Sequence, residues 1–74
     1  MEIKEFIAKF AEEIEIENAE ELTPETAFRE LDEWSSLSVM ILIAFYDENF
    51  DKEIGEKDIR SCTTIQDLYN LATA

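Results

Sequence analysis

One glycine, Gly55, and one proline, Pro24, are all the backbone punctuation in this 74-residue chain. Tight reversals between strands draw on glycine for positive φ and on proline for a preset φ, so a chain this poor in both has few places to turn sharply. No stretch of useful length alternates apolar and polar residues, the mark of a half-buried strand. Helices remain as the element the sequence can form, and the fold class read from it is all-α.

Ile3, Phe6, Ile7, Phe10 and Ile14 recur at spacings of three and four. They therefore share one face of an amphipathic helix over about residues 2–16, with Lys4, Lys9 and Glu12 opposite. Residues 18–21 break the period, and Thr23-Pro24 reads as a cap followed by proline at a first helical position. A loop with at most one helical turn is predicted there. The next helix begins at Ser35 or Ser36 and runs to about Asn49. Ser35, Ser36 and Ser38 crowd its start, where hydroxyls can accept from unpaired backbone N–H groups. A short third helix is predicted over Glu56–Ser61, after Gly55. The last starts at Thr63, where Thr63 and Gln66 match a capping box, and its apolar face is Ile65, Leu68, Tyr69, Leu71 and Ala72. The expected architecture is a single domain over 1–74: a small four-helix bundle, with three longer helices and one short third helix.

Nineteen Asp and Glu against six Lys and Arg give a formal net charge of −13. Nucleic acid is thereby excluded as a partner, since phosphate binding needs a basic surface. The same charge on a less apolar chain would signal disorder. Here 46% of residues are apolar and eight are aromatic, which predicts a folded core inside an acidic shell. The chain has no histidine and one cysteine, so hydrolase triads, zinc clusters and internal disulfides are out. Together with the short length this argues against an enzyme, and a metal site is not expected. Met1-Glu2-Ile3-Lys4-Glu5 carries acids where a secretory leader needs a basic and then an apolar region. The longest apolar run, Val39 to Tyr46, is far short of a membrane span. These features predict a soluble, cytoplasmic, monomeric protein.

The informative stretch is Phe28-Arg29-Glu30-Leu31-Asp32-Glu33-Trp34-Ser35-Ser36-Leu37-Ser38-Val39-Met40. A serine at the exposed start of an apolar helix, followed at once by a leucine anchor, presents a hydroxyl from a rigid base. Local physics alone favours the plainer reading, that Ser35 or Ser36 merely caps the helix. The stretch nevertheless resembles the acyl carrier proteins, in which a Trp-Asp-Ser-Leu-Ser motif surrounds a modified serine; this chain reads Trp34-Ser35-Ser36-Leu37-Ser38. The flanks are similar as well: Phe28 and Leu31 lead in, Phe45, Asp47-Glu48-Asn49-Phe50 and Glu53-Ile54 follow, and Thr63-Thr64-Ile65-Gln66-Asp67-Leu68 opens the last helix. The spacing runs without a gap over almost the whole chain.

The resemblance implies that Ser36 is where a phosphopantetheinyl transferase, the holo-carrier synthase, attaches 4′-phosphopantetheine from coenzyme A. It implies a carrier of acyl or aminoacyl thioesters for fatty acid biosynthesis or a polyketide, peptide or cell-envelope pathway. Its partners would be loading and acyl-transferring enzymes with basic patches. The resemblance makes Ser36 rather than Ser35 the expected acceptor, because Leu37 follows it as the motif requires and the later landmarks keep their spacing from it. The family has Asp immediately before that serine, and this chain has Ser35.

A second departure lies downstream. Such carriers scatter acids along the helix after the serine, whereas residues 38–46 contain none. Met40 and Ala44, flanked by Val39 and Ile43, are expected to form an apolar docking stripe, with Leu42 and Tyr46 in the core. Trp34 is expected to brace the loop half-buried, and Cys62 to be a small buried hydrophobe. In the acid-rich Asp47–Glu53 segment, Lys52 stands where a calcium loop needs its glycine. The contrasting function class is an acidic helical adaptor without a prosthetic group. Whatever the function, 13 uncompensated charges repel one another in the compact state. Added salt or divalent cations should therefore raise the melting temperature, and a melting temperature unchanged from low to high salt would refute this.

Overall fold

The computed structural model describes residues 2–73, and among these the secondary structure is entirely helical. The order is α1 (Ile3–Ile14), 3₁₀ turns at Ala19–Glu21 and Phe28–Glu30, α2 (Ser36–Phe50), α3 (Glu56–Arg60) and α4 (Ile65–Thr73). Three longer helices and one short third helix make the small bundle that the spacing predicts.

Phe6, Phe10 and Ile14 of α1 are buried, as their shared face requires, together with Ala11. The helix stops two residues short of the expected end because Glu15 turns left-handed at φ 60°, and Ile16 N–H bonds back to the Ala11 carbonyl at 2.9 Å. That is a Schellman-type closure, usually made by glycine. Helix α2 also ends left-handed, at Asp51, φ 53°, but with a wider closure in which Lys52 N–H reaches the Tyr46 carbonyl at 3.3 Å. Gly55 adopts φ −119° at the start of α3, so neither left-handed position falls to the chain's one glycine.

Two expectations need correction. Pro24 starts no helix: it sits inside a β-turn closed by Thr26 N–H on the Thr23 carbonyl at 3.0 Å, and Thr23 N–H donates to Thr26 Oγ1 at 2.9 Å. Two 3₁₀ turns, one on either side, take the place of the single turn expected. The cap of α4 is also one residue later than Thr63 with Gln66. Asp67 N–H donates to Thr64 Oγ1 at 3.2 Å, while Asp67 Oδ2 accepts from the N–H groups of Thr63 and Thr64 at 2.9 and 3.1 Å. The loop sets this register, because its Thr26 and Pro24 carbonyls accept from Ile65 N–H at 3.1 Å and Gln66 N–H at 2.8 Å. Gln66 turns its side-chain amide to Asn70 instead.

Phe6 is the hub of the core. Its ring lies 5.6 to 6.3 Å from those of Phe45, Tyr46, Phe50 and Tyr69, in the tilted and edge-on geometries that aromatic quadrupoles favour. Tyr46 is fully buried and its hydroxyl donates to the Leu68 carbonyl in α4. Burial, with a smaller push from Cys62, holds this phenol well above its ordinary range. Phe10 and Phe28 continue the cluster toward the loop, and Trp34 meets Phe28 edge-on at 4.9 Å.

The two backbone N–H groups of Thr63 and Thr64 hold the Asp67 carboxyl below its ordinary range. A folded-state value below the unfolded one adds stability above the unfolded value, and that stability is lost as pH falls through the folded value. The gap in urea midpoint between wild type and Asp67→Ala should therefore be full at neutral pH and narrow below about pH 4. A gap constant across that range would overturn the assignment.

Candidate functional site

The site is built at the start of α2. Ser35 is the N-cap residue, extended at φ −146° and ψ 176°, and Ser36 is the first helical residue. Ser38 is buried; its Oγ accepts from Ser35 N–H at 3.0 Å, and Ser38 N–H bonds to the Ser35 carbonyl at 3.0 Å. Two of the three crowded serines thus belong to the cap. Ser36 lies about 200° around the helix from Ser38, at 3.6 residues per turn, and so points away from the core. It is exposed, and among the described residues its hydroxyl has no hydrogen-bond partner.

Leu37 and Met40 are 61% and 66% exposed, too much for side chains this large to count as core. With exposed Ala44 they form a stripe at spacings of three and four, flanked by half-buried Val39 and Ile43, while Leu42, Phe45 and Tyr46 are buried. The expected division of α2 into an apolar stripe at Met40 and Ala44 and a core face at Leu42 and Tyr46 matches this burial, whereas Leu37, expected as an anchor, is exposed. Met40, Ile43 and Ala44 also wall an open groove of about 530 Å³ that Asp47, Lys52 and Ile54 complete. No acid occupies the first turn of α2. Glu30, Asp32, Asp47 and Glu48 are exposed on either side, and Glu33 is half-buried, accepting from Glu17 N–H at 3.3 Å.

On the other side of Ser36 is a second pocket, of about 340 Å³, shared with Arg29, Trp34, Val39, Ile59 and Arg60. The sequence reading missed both arginines. They stand 31 residues apart and meet only through the fold, where Arg29 Nη1 donates to the Arg60 carbonyl at 3.1 Å. Trp34 is half-buried against Phe28 and braces the loop, as expected. Cys62 is buried, its Sγ donating to the Asp58 carbonyl at 3.5 Å, and burial first, then nearby Asp67, pushes its thiol up. A thiol so placed is packing rather than a nucleophile.

Comparison with protein-family models, with curated proteins and with solved structures finds no match to this chain.

The geometry separates the serines by role. Ser36→Ala should change unfolding free energy by less than about 0.5 kcal/mol, as for other exposed sites. Ser38→Ala removes a buried acceptor from a backbone N–H and should cost about 1 kcal/mol. Denaturant titration of both variants checks this, and equal losses would contradict the assignment.

Proposed function

We propose that this chain is an acyl carrier protein whose Ser36 takes 4′-phosphopantetheine and which presents acyl or aminoacyl thioesters to partner enzymes. The observation that carries the reading is the free, exposed hydroxyl of Ser36 on the first residue of a 15-residue helix, beside serines committed to the cap. A phosphate ester fits that position. The helix N-terminus favours negative charge, and no acid of the first turn opposes it.

Attachment asks one atom of this chain. Ser36 Oγ forms a bond to phosphorus as the pyrophosphate P–O bond of coenzyme A breaks, 3′,5′-ADP leaves, and the serine proton passes to a base. The phosphopantetheinyl transferase supplies that base and Mg²⁺, so a chain without histidine can serve. Once attached, the group supplies a thiol on a flexible tether, which raises the effective concentration of its thioester at a docked enzyme. Leu37, Met40 and Ala44 are the contact surface of this reading, and the flanking acids steer enzymes with basic patches toward it.

Incubation with coenzyme A, Mg²⁺ and a promiscuous transferase, read by intact mass, tests this. One phosphopantetheine should be added to wild type and Ser35→Ala and none to Ser36→Ala, while Met40→Glu should stay folded and load more slowly. A Met40→Glu variant that loads at the wild-type rate removes Met40 from the contact. No mass gain with any transferase would favour the acidic helical adaptor without a prosthetic group.

A further inference from the structure

Two of the six basic residues converge beside Ser36. Arg29 belongs to the 3₁₀ turn before α2, and Arg60 ends α3. Arg29 is held from two sides: it bonds the Arg60 carbonyl, and its guanidinium carbon lies 5.7 Å over the centroid of the Phe28 ring. That carbonyl is among those a helix leaves unpaired at its C-terminus, where a cation is favoured. A guanidinium has five N–H donors, so a single carbonyl leaves Arg29 donors to spare. Arg60 is paired with Glu56 one turn back at 2.5 Å. Glu56 also lines the pocket, so two guanidinium groups and one carboxylate leave a net single positive charge there. The N-terminus of α2 adds its partial positive charge. Within a chain of net charge −13 this is a local reversal of sign.

We infer that this pocket seats a phosphodiester on Ser36, with Arg29 and Arg60 donating to the phosphate oxygens and Trp34, Val39 and Ile59 receiving the branched hydrocarbon that follows. The inference rests on the carrier reading. A phosphodiester bears one negative charge, which the net charge of the lining matches. Guanidinium is also the side chain best shaped to bind phosphate through paired N–H groups. The root of the arm then lies between α2 and α3 in the resting carrier. A partner's basic patch releases it by competing for the same oxygens.

The test is ³¹P NMR of the loaded protein, with completeness of loading established first by intact mass. The wild-type resonance should be displaced and broadened relative to a free serine–pantetheine phosphodiester. It should move toward the free position in Arg29→Gln and in Arg60→Gln, coincide with it in the double variant, and keep part of its displacement in Arg60→Lys. Salt at 1 M, where the screening length is about 3 Å rather than about 10 Å at 0.1 M, should act in the same direction. Arg60 has a side chain 72% exposed, so its variant keeps the test valid even where Arg29→Gln unfolds. A chain that never loads overturns the carrier reading and this inference together. A fully loaded wild type at the free position, or Gln variants that stay displaced, overturns the inference alone.

Discussion

Tyr46 fixes the rotation of α2 about its own axis. The helix is apolar on nearly every side, so hydrophobic burial by itself does not choose which side faces inward. The choice is made by shape and by one polar atom. The Tyr46 ring fits edge-on against Phe6, and its hydroxyl, which burial alone would leave costly, finds the Leu68 carbonyl. With Tyr46 inward, Leu42, Phe45 and Ser38 follow it in, and Ser36, Leu37 and Met40 are turned out. The proposed attachment site thus inherits its exposure from a contact ten residues down the helix.

How much was legible in the sequence follows the same physics. Helices α1 and α4 carry a clean period of three and four, and every residue buried in them except Ala11 is one the period names. In α2 the existence of the helix was legible and its rotation less so, since a pattern without a polar face carries no phase. The ends at Glu15 and Asp51 were hidden because the usual sign of a left-handed closure is glycine, and acids stand there instead. The shift of the α4 cap from Thr63 to Thr64 came from the Pro24 and Thr26 carbonyls, a contact across some forty residues that no local motif records.

The charge of the chain has a layout rather than a uniform spread. Residues 1–33 hold 12 acids against 3 bases, and residues 34–74 hold 7 against 3. Between the acidic loop and Asp47 runs an uncharged face of α2, and behind it the fold brings Arg29 to Arg60. Long-range attraction and short-range contact are therefore carried by different residues. In the proposed carrier, the acids raise the rate of encounter with a basic partner and the apolar stripe decides how long it stays. Neither arginine stood out in the sequence, because each is a lone cation on its own segment.

The two left-handed helix ends have a consequence for the unfolded chain. A residue with a Cβ in that conformation costs about 1–2 kcal/mol in the native state. Glycine would remove that strain, but it would widen the range of backbone states open to the unfolded chain, by about 0.4–1 kcal/mol per site. By using Glu15 and Asp51 where glycine is customary, the chain keeps its denatured ensemble narrow and accepts native strain that exceeds this gain. For a bundle with so small a core, the two helix ends thus hold back stability that glycine would supply.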